Sequence, residues 1–181
     1  MGKKGPRDTR QNAMKSGPLP WLTLCLCLTA ILGCGYTVAN TTLSNDYRTL
    51  AIPAFKNESF EQEIQIRASN ALVREMEADG RFRIVDDPAS ADLVLKGAIT
   101  SFDARAISFS TDDNIGQFKI TLTARVALED TRTGKALWEQ DSLQGTDFYQ
   151  TQGGRTREEA LDEATENLVE TIIYECFESY W

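Results

Sequence analysis

The sequence predicts an α+β domain, a two-layer sandwich in which a four-stranded mixed sheet packs one face against two helices. Three observations predict this class. Residues 118–128 alternate apolar and polar side chains without a break, two segments carry apolar residues at helical spacing, and the elements follow in the order β-α-β-β-β-α. Because each helix has one apolar stripe and the sheet has one apolar face, both helices are expected to cover the same side.

The first strand is predicted over residues 48–55, where Pro53, which has no amide hydrogen to donate, should mark the strand's end or an edge. The first helix should follow at once, with Ser59 and Gln62 forming a capping box. Gly80 is placed to end this helix. The apolar stripe of the helix comprises Phe60, Ile64, Ala68, Ala71, Leu72 and Met76.

The other elements follow in sequence. Strand two opens at Asp92 and strand three spans the alternating run, so the connector at residues 102–116 is long enough to extend both strands into a protruding hairpin. A turn over residues 130–135 leads into strand four. Helix two begins at Thr156, whose partner Glu159 completes a second capping box.

The segment before this domain is typical of a lipoprotein precursor. Five basic residues precede the apolar run at residues 19–33, which is too short to span a bilayer, and the small Gly33 stands directly before Cys34. The pattern resembles a bacterial lipobox, in which the cysteine is acylated and becomes the new N-terminus. The alternative is an ordinary signal peptide, or a short anchor helix, with an incidental cysteine. The expected division is a removed signal peptide at 1–33, a lipidated N-terminus and tether at 34–47, and a single folded domain at 48–181.

Net charge limits the possible partners. Residues 1–33 hold five of the 19 basic side chains and one of the 27 acidic ones, so the mature chain would carry 14 and 26, a net charge of −12. This charge argues against nucleic-acid binding, which needs a basic surface, and against broad adhesion to an anionic membrane. The membrane link is therefore expected to be the acyl chains on Cys34. Gly35 follows the cysteine, where an aspartate marks inner-membrane retention in many lipoproteins, so the expected address is the outer membrane.

The chain offers no catalytic or metal-binding constellation. It has no histidine, which removes the Ser-His-Asp and Cys-His arrangements and most zinc sites. The adjacent carboxylates Asp86–Asp87 and Asp112–Asp113 are typical of turns. Cys176 lies in an apolar helical pattern and is expected to be a small buried residue. We therefore expect no enzyme, no cofactor and no metal.

Four segments of the mature chain form a recognisable series. They are Cys34-Gly35-Tyr36, residues 51–57 (AIPAFKN), residues 91–97 (ADLVLKG), and residues 130–135 (DTRTGK) followed by Trp138. Taken in order, they resemble the lipopolysaccharide-assembly lipoprotein (LptE) family. The resemblance covers essentially the whole mature chain. It implies a lipid-anchored protein on the periplasmic side of the outer membrane. Such a protein would sit inside the LptD β-barrel, plug it and help to assemble it, and so support insertion of lipopolysaccharide into the outer leaflet.

The resemblance also suggests where the chain would touch that partner. The polar reverse face of the sheet and the long connector suit a polar barrel interior. The acidic connector tip at residues 112–114 and the net charge argue against recognition of the phosphorylated lipid A headgroup, which favours cations. Direct binding of lipopolysaccharide is therefore left open. The candidate contacts with the barrel or with lipopolysaccharide are Arg105, Lys119, Thr121 and Arg125.

Two alternatives come from other classes of protein. One is a binding module of another envelope system, such as a curli secretion channel component or an activator of peptidoglycan synthases, which shares the opening strand with Pro53, Phe55 and Asn57. The other is an enzyme that acts on envelope glycans through paired carboxylates. The sequence nominates no such pair.

Overall fold

The computed structural model describes Gly2 and residues 46–109, 115–151 and 153–179. The predicted signal peptide apart from Gly2, Cys34, most of the tether and the connector tip lie outside the described residues. The elements in chain order are β1 (Thr49–Ala51), β2 (Lys56–Asn57), α1 (Ile64–Asp79), β3 (Arg83–Ile84), a 3₁₀ turn (Pro88–Ser90), β4 (Leu93–Phe109), β5 (Ile115–Asp130), β6 (Lys135–Gln150), α2 (Arg157–Ile173) and a π-helical turn (Tyr174–Glu178).

The strands form one mixed sheet in the order β3-β1-β4-β5-β6, with β2 also paired to β4. β1 runs parallel to both β3 and β4, and β2 runs parallel to β4, whereas β4, β5 and β6 pair antiparallel. The predicted α+β class, with two helices and a mixed sheet, is confirmed. The predicted count of four strands is wrong, because the described residues form a sheet of six.

The two extra strands come from short parallel pairings. Only Thr49–Ala51 of the predicted first strand at residues 48–55 is a strand, and β2 forms just beyond it, where Lys56 pairs with Ala98. Pro53 lies in the gap between β1 and β2, where it has no amide hydrogen to offer to β4. The other added strand, β3, is only two residues long.

One apolar core joins both helices to the same face of the sheet, which we call the inner face. Leu122 in the middle of β5 and Leu168 in the middle of α2 are completely buried, as are Ile64 and Leu72 of α1. The inward residues of β5 from Ile120 to Leu128 are all buried, while the residues between them keep some exposure. The predicted alternation and the burial of both helices on one side are therefore confirmed.

β6 and α2 approach each other very closely at Gly145. A Cβ atom on Gly145 would lie 2.1 Å from the carbonyl oxygen of Ala164 and 2.4 Å from the backbone nitrogen of Leu168. Both atoms belong to the helix backbone, which has little freedom to move aside. The helix layer can therefore pack at this distance only because residue 145 has no side chain.

α2 also covers part of β6, which is an edge strand of the sheet. Asn167 Nδ2 donates to the carbonyl oxygen of Thr146 over 3.0 Å. The Thr171 hydroxyl, which donates to the carbonyl oxygen of Asn167 over 2.8 Å, lies 3.4 Å from the carbonyl oxygen of Gln144. One backbone acceptor of the edge strand is thus occupied by a side chain of α2, and a second lies against another.

α1 begins later than the sequence predicts. The residue before the helix, Glu63, has left-handed backbone angles (φ 61°) and makes no side-chain cap bond. Asn57 Oδ1 accepts hydrogen bonds from the amide (2.9 Å) and hydroxyl (2.7 Å) of Ser59, and Asn57 Nδ2 donates to the carbonyl oxygen of Glu61 over 2.7 Å. Because Asn57 holds Ser59 in this local turn, the predicted capping box of Ser59 and Gln62 is wrong.

The predicted end of α1 and the predicted start of α2 are confirmed. Gly80 ends α1 in the left-handed conformation (φ 72°), and its amide donates to the carbonyl oxygen of Met76. Thr156 Oγ1 accepts from the amide of Glu159, whose carboxylate accepts from the amide of Thr156, so the second capping box is complete. Phe60, however, is wrongly placed on the α1 stripe, because its side chain is wholly exposed.

The carboxylate of Asp92 fixes the start of β1. Its Oδ2 accepts hydrogen bonds from the amide of Arg48 (2.9 Å), the amide of Thr49 (3.0 Å) and the hydroxyl of Thr49 (2.8 Å). The amide of Asp92 in turn donates to the Thr49 hydroxyl over 2.8 Å. The hydrogen bonds from Arg48 and then from Thr49 favour the ionised carboxylate and lower the pKa of Asp92 below its ordinary value.

We expect Asp92→Asn to lower the free energy of unfolding by about 1 kcal/mol at neutral pH, since it weakens these hydrogen bonds. Because the pKa of Asp92 is lower in the folded state, the stabilisation is present above the unfolded pKa of about 3.9 and is lost as pH falls through the folded pKa. Chemical denaturation of parent and variant over acidic to neutral pH should therefore show a difference that shrinks below about pH 4. Asp86→Asn, at an exposed turn, is the control. A parent–variant difference that stays constant over this range would contradict the role given to the charge.

Candidate interface on the outer face of the sheet

The outer face of the sheet is formed by the residues of β4, β5 and β6 that point away from the helices. On β5 it presents Lys119, Thr121, Thr123 and Arg125, which are half-buried or exposed. The β4–β5 ladder continues to the pair Phe109 and Ile115, so these two strands form the long hairpin that the sequence predicts. Along β5 the result is a polar surface whose side chains keep some exposure.

Three of the four predicted contact residues form one group near the distal end of this hairpin. Arg105 lies directly opposite Lys119 in the β4–β5 register, and Thr121 lies opposite Asp103. Arg105 Nε contacts Asp103 Oδ2 at 2.7 Å, which offsets the repulsion between the two facing cations. On β6, the partly exposed Phe148 lies opposite Lys119. This distal group therefore combines two cations, one carboxylate, one hydroxyl and one aromatic ring.

Arg125 belongs to a second group nearer the base of the hairpin. It lies six residues from Lys119 along β5, which is about 20 Å at the rise of an extended strand. Its Nη2 contacts Glu58 Oε1 at 3.0 Å. The structure thus brings Arg105, Lys119 and Thr121 together and places Arg125 apart from them.

Arg125 lines an open depression of about 430 Å³. Lys56 and Arg125 lie on either side of Ala98, because β2 and β5 both pair with β4 at that residue. Lys96 is also at the rim, with its Nζ 2.6 Å from Oε2 of Glu129. The other lining residues are Pro53, Ala54, Gly97, Ala127 and Glu139. The sequence does not indicate the position of Lys56, since β2 was not predicted.

Charge is distributed unevenly between the two layers. Residues 157–178, which form α2 and the π-helical turn, contain eight Asp or Glu and one Arg. The two outer-face groups together hold five cations and four carboxylates: Lys56, Lys96, Arg105, Lys119 and Arg125 with Glu58, Asp103, Glu129 and Glu139. These two outer-face groups are therefore close to neutral, whereas residues 157–178 are strongly acidic.

No group of three or more His, Cys, Asp or Glu among the described residues could hold a metal ion. Cys176 is fully buried, and this desolvation raises the pKa of its thiol, so the interpretation as a small buried residue is confirmed.

Within residues 46–109, 115–151 and 153–179, no helix has the length and apolar character needed to cross a membrane.

Solved structures share the fold at low sequence identity. An uncharacterized lipoprotein B from Nitrosomonas europaea is 14% identical, with a TM-score of 0.53 over 72% of this chain and 82% of that chain. The hypothetical protein CT253 from Chlamydia trachomatis is 12% identical, with a TM-score of 0.54 over 72% of this chain and 96% of that chain. At these identities the likeness concerns the fold alone. No curated protein matches the chain.

A family model described as lipopolysaccharide-assembly matches residues 47–175. The match spans the whole sheet, both helices and both groups of outer-face residues. The chain therefore belongs to the lipopolysaccharide-assembly (LptE) family.

Proposed function

We propose that this protein is an outer-membrane lipoprotein that plugs the LptD β-barrel and helps to assemble it, and so supports insertion of lipopolysaccharide into the outer leaflet. In this proposal residues 1–33 are removed, Cys34 carries the acyl chains on the periplasmic side, residues 34–47 are the tether and residues 48–181 are the folded plug. Its role is to bind and position, without catalysis or a cofactor. Membership of the family supports the pathway.

The observation that carries the proposal is the broad, nearly neutral outer face of the sheet. A large barrel has a polar interior that a folded domain can fill. The alternating Lys119, Thr121, Thr123 and Arg125 offer hydroxyl and charged groups suited to such a wall. An acidic face would be less suitable, and the strongly acidic helix layer lies on the opposite side of the sheet.

The end of the proposed tether is held firmly to the domain. The Tyr47 hydroxyl donates to Asp130 Oδ2 over 3.1 Å, and the guanidinium of Arg132 lies 4.8 Å from the centre of the Tyr47 ring. Asp130 is the last residue of β5, and Arg132 lies in the tight turn between β5 and β6. A lipid anchor on Cys34 would therefore be linked to a fixed point of the sheet.

Contacts with the barrel wall are better supported than recognition of the lipid A headgroup. Three of the five outer-face cations already have a carboxylate partner: Arg105 with Asp103, Lys96 with Glu129, and Arg125 with Glu58. A phosphate would have to compete with these carboxylates. We therefore assign Arg105, Lys119, Thr121 and Arg125 to contact with the protein wall.

A photo-crosslinking residue at Thr121 should give a product with the mass of a large barrel protein, because Thr121 lies in the middle of the outer face. The matched control is Glu170, which is exposed on α2, and it should give much less product. The products are compared by denaturing gel electrophoresis and mass spectrometry of envelope extracts. A stronger barrel product from Glu170 would reverse the proposed orientation. A product with a curli channel subunit or a peptidoglycan synthase would favour the alternative binding module.

A further inference from the structure

Phe60 is the most exposed of the large apolar side chains in the described part of the chain. Its relative exposure is 104%, compared with 56% for Tyr174 and 49% for Ile66 and Ile107. We propose that Phe60 is an anchor that inserts into an apolar pocket in the wall of the partner barrel. The identity of the partner rests on the proposed function, whereas the anchor itself is argued from the loop that carries it.

That loop, residues 58–63, is fixed to the sheet at its start. The amide of Glu58 donates to the carbonyl oxygen of Ile99 over 2.9 Å, which continues the pairing of β2 with β4. The side chain of Asn57 then holds both Ser59 and the carbonyl oxygen of Glu61. The chain on both sides of Phe60 is thus hydrogen-bonded to one asparagine.

Ion pairs tie the same loop to both layers of the domain. Glu58 contacts Arg125 of β5 at 3.0 Å, and Glu61 contacts Arg157 of α2 at 2.7 Å. The guanidinium of Arg157 also lies 5.2 Å from the centre of the Phe102 ring. Beyond Phe60, Glu63 adopts left-handed backbone angles, which a residue with a side chain rarely does. Hydrogen bonds and ion pairs to both layers of the domain therefore hold the loop in one conformation.

The exposure of the Phe60 ring and the fixed conformation of its loop together indicate a binding role. An aromatic ring surrounded by water gains free energy when it enters an apolar pocket, and single aromatic residues often dominate a protein interface. A loop that is already ordered loses little conformational entropy on binding. An exposed phenylalanine on a braced loop meets both conditions.

The flanking charges favour a protein pocket over a lipid surface. Glu58, Glu61 and Glu63 all lie within three residues of Phe60. Carboxylates are repelled by an anionic lipid surface, so insertion of Phe60 into such a bilayer would bring them against like charge. The pocket expected for Phe60 is apolar inside and has cations or hydrogen-bond donors at its rim.

The first test replaces Phe60 with the photo-reactive amino acid benzoylphenylalanine in the full-length lipoprotein. After irradiation of cells we expect an adduct with the barrel protein, located by mass spectrometry to one segment of its wall. The matched control carries the same residue at Tyr174, an exposed aromatic in the helix layer, and should give little adduct. An adduct of residue 60 with lipid, or no adduct above that of residue 174, would overturn the inference.

The second test measures how much barrel co-purifies with each variant of the full-length protein. Phe60→Ala should lower recovery about tenfold while leaving the melting temperature unchanged, because the side chain buries nothing in the isolated domain. Phe60→Trp should retain recovery, and Tyr174→Ala is the control. Asn57→Ala keeps the ring but releases the loop, so it should give a smaller loss than Phe60→Ala.

If the parent recovers no barrel, the proposed function fails; if the parent and Phe60→Ala recover equal amounts, only this inference fails.

Discussion

Gly145→Ala is expected to destabilise the domain by about 1–3 kcal/mol, and Gly145→Val by more, because each side chain would collide with the backbone of α2. The contacts are a carbonyl oxygen at 2.1 Å and a backbone nitrogen at 2.4 Å, so no rotamer change relieves them. Either β6 or the whole helix must move away. A domain of this size is stable by only about 5–15 kcal/mol, so the loss should be visible in any unfolding experiment.

Thermal and urea unfolding of purified variants measure this effect. Gln144→Ala is the matched control, since residue 144 is the exposed neighbour on the same strand and uses only its backbone to contact Thr171. We expect the control to unfold close to the parent. If Gly145→Ala also unfolded like the parent, the close approach of helix and strand at this residue would be contradicted.

Cys34→Ser is expected to abolish acylation and to leave the uncleaved precursor behind. The thiol is the only group that can receive the lipid in the proposed pathway, and a hydroxyl does not replace it. The precursor keeps the apolar run at residues 19–33, so the variant should be larger than the mature parent. Labelling with a radioactive fatty acid, followed by gel electrophoresis that separates precursor from mature chain, measures both outcomes.

The chain provides close controls for that experiment. Cys25 and Cys27 lie in the apolar run before the proposed cleavage point, so Cys25→Ser and Cys27→Ser should keep full labelling. Unchanged labelling of Cys34→Ser would contradict the lipoprotein interpretation and leave an ordinary signal peptide or a short anchor helix.

The elements that the sequence predicts well are those whose pattern is complete within one segment. β5 needs only its own alternation to show which residues face the core, and Thr156 needs only Glu159 three residues later to start α2. The long β4–β5 hairpin follows from the polar and apolar pattern on either side of the connector. In each case the signal and the structure lie in the same stretch of chain.

The features that the sequence misses depend on residues distant in the chain or on one competing side chain. β2 is two residues long and exists only because β4 lies beside it, so its own residues carry no pattern. The position of Lys56 beside Arg125 follows from that pairing and was missed with it. Phe60 fits the helical spacing of α1, but the hydrogen bonds of Asn57 hold the chain in a turn there instead.

The covered edge of β6 has a consequence for the protein before it meets any partner. In the proposed function the chain crosses an aqueous compartment, where an open edge strand can recruit the strand of another copy and start a polymer. Asn167 occupies the carbonyl oxygen of Thr146, and the Thr171 hydroxyl lies 3.4 Å from the carbonyl oxygen of Gln144, so a second strand arriving there meets the side chains of α2. The helix that completes the core thus also shields this edge of the folded chain against self-association.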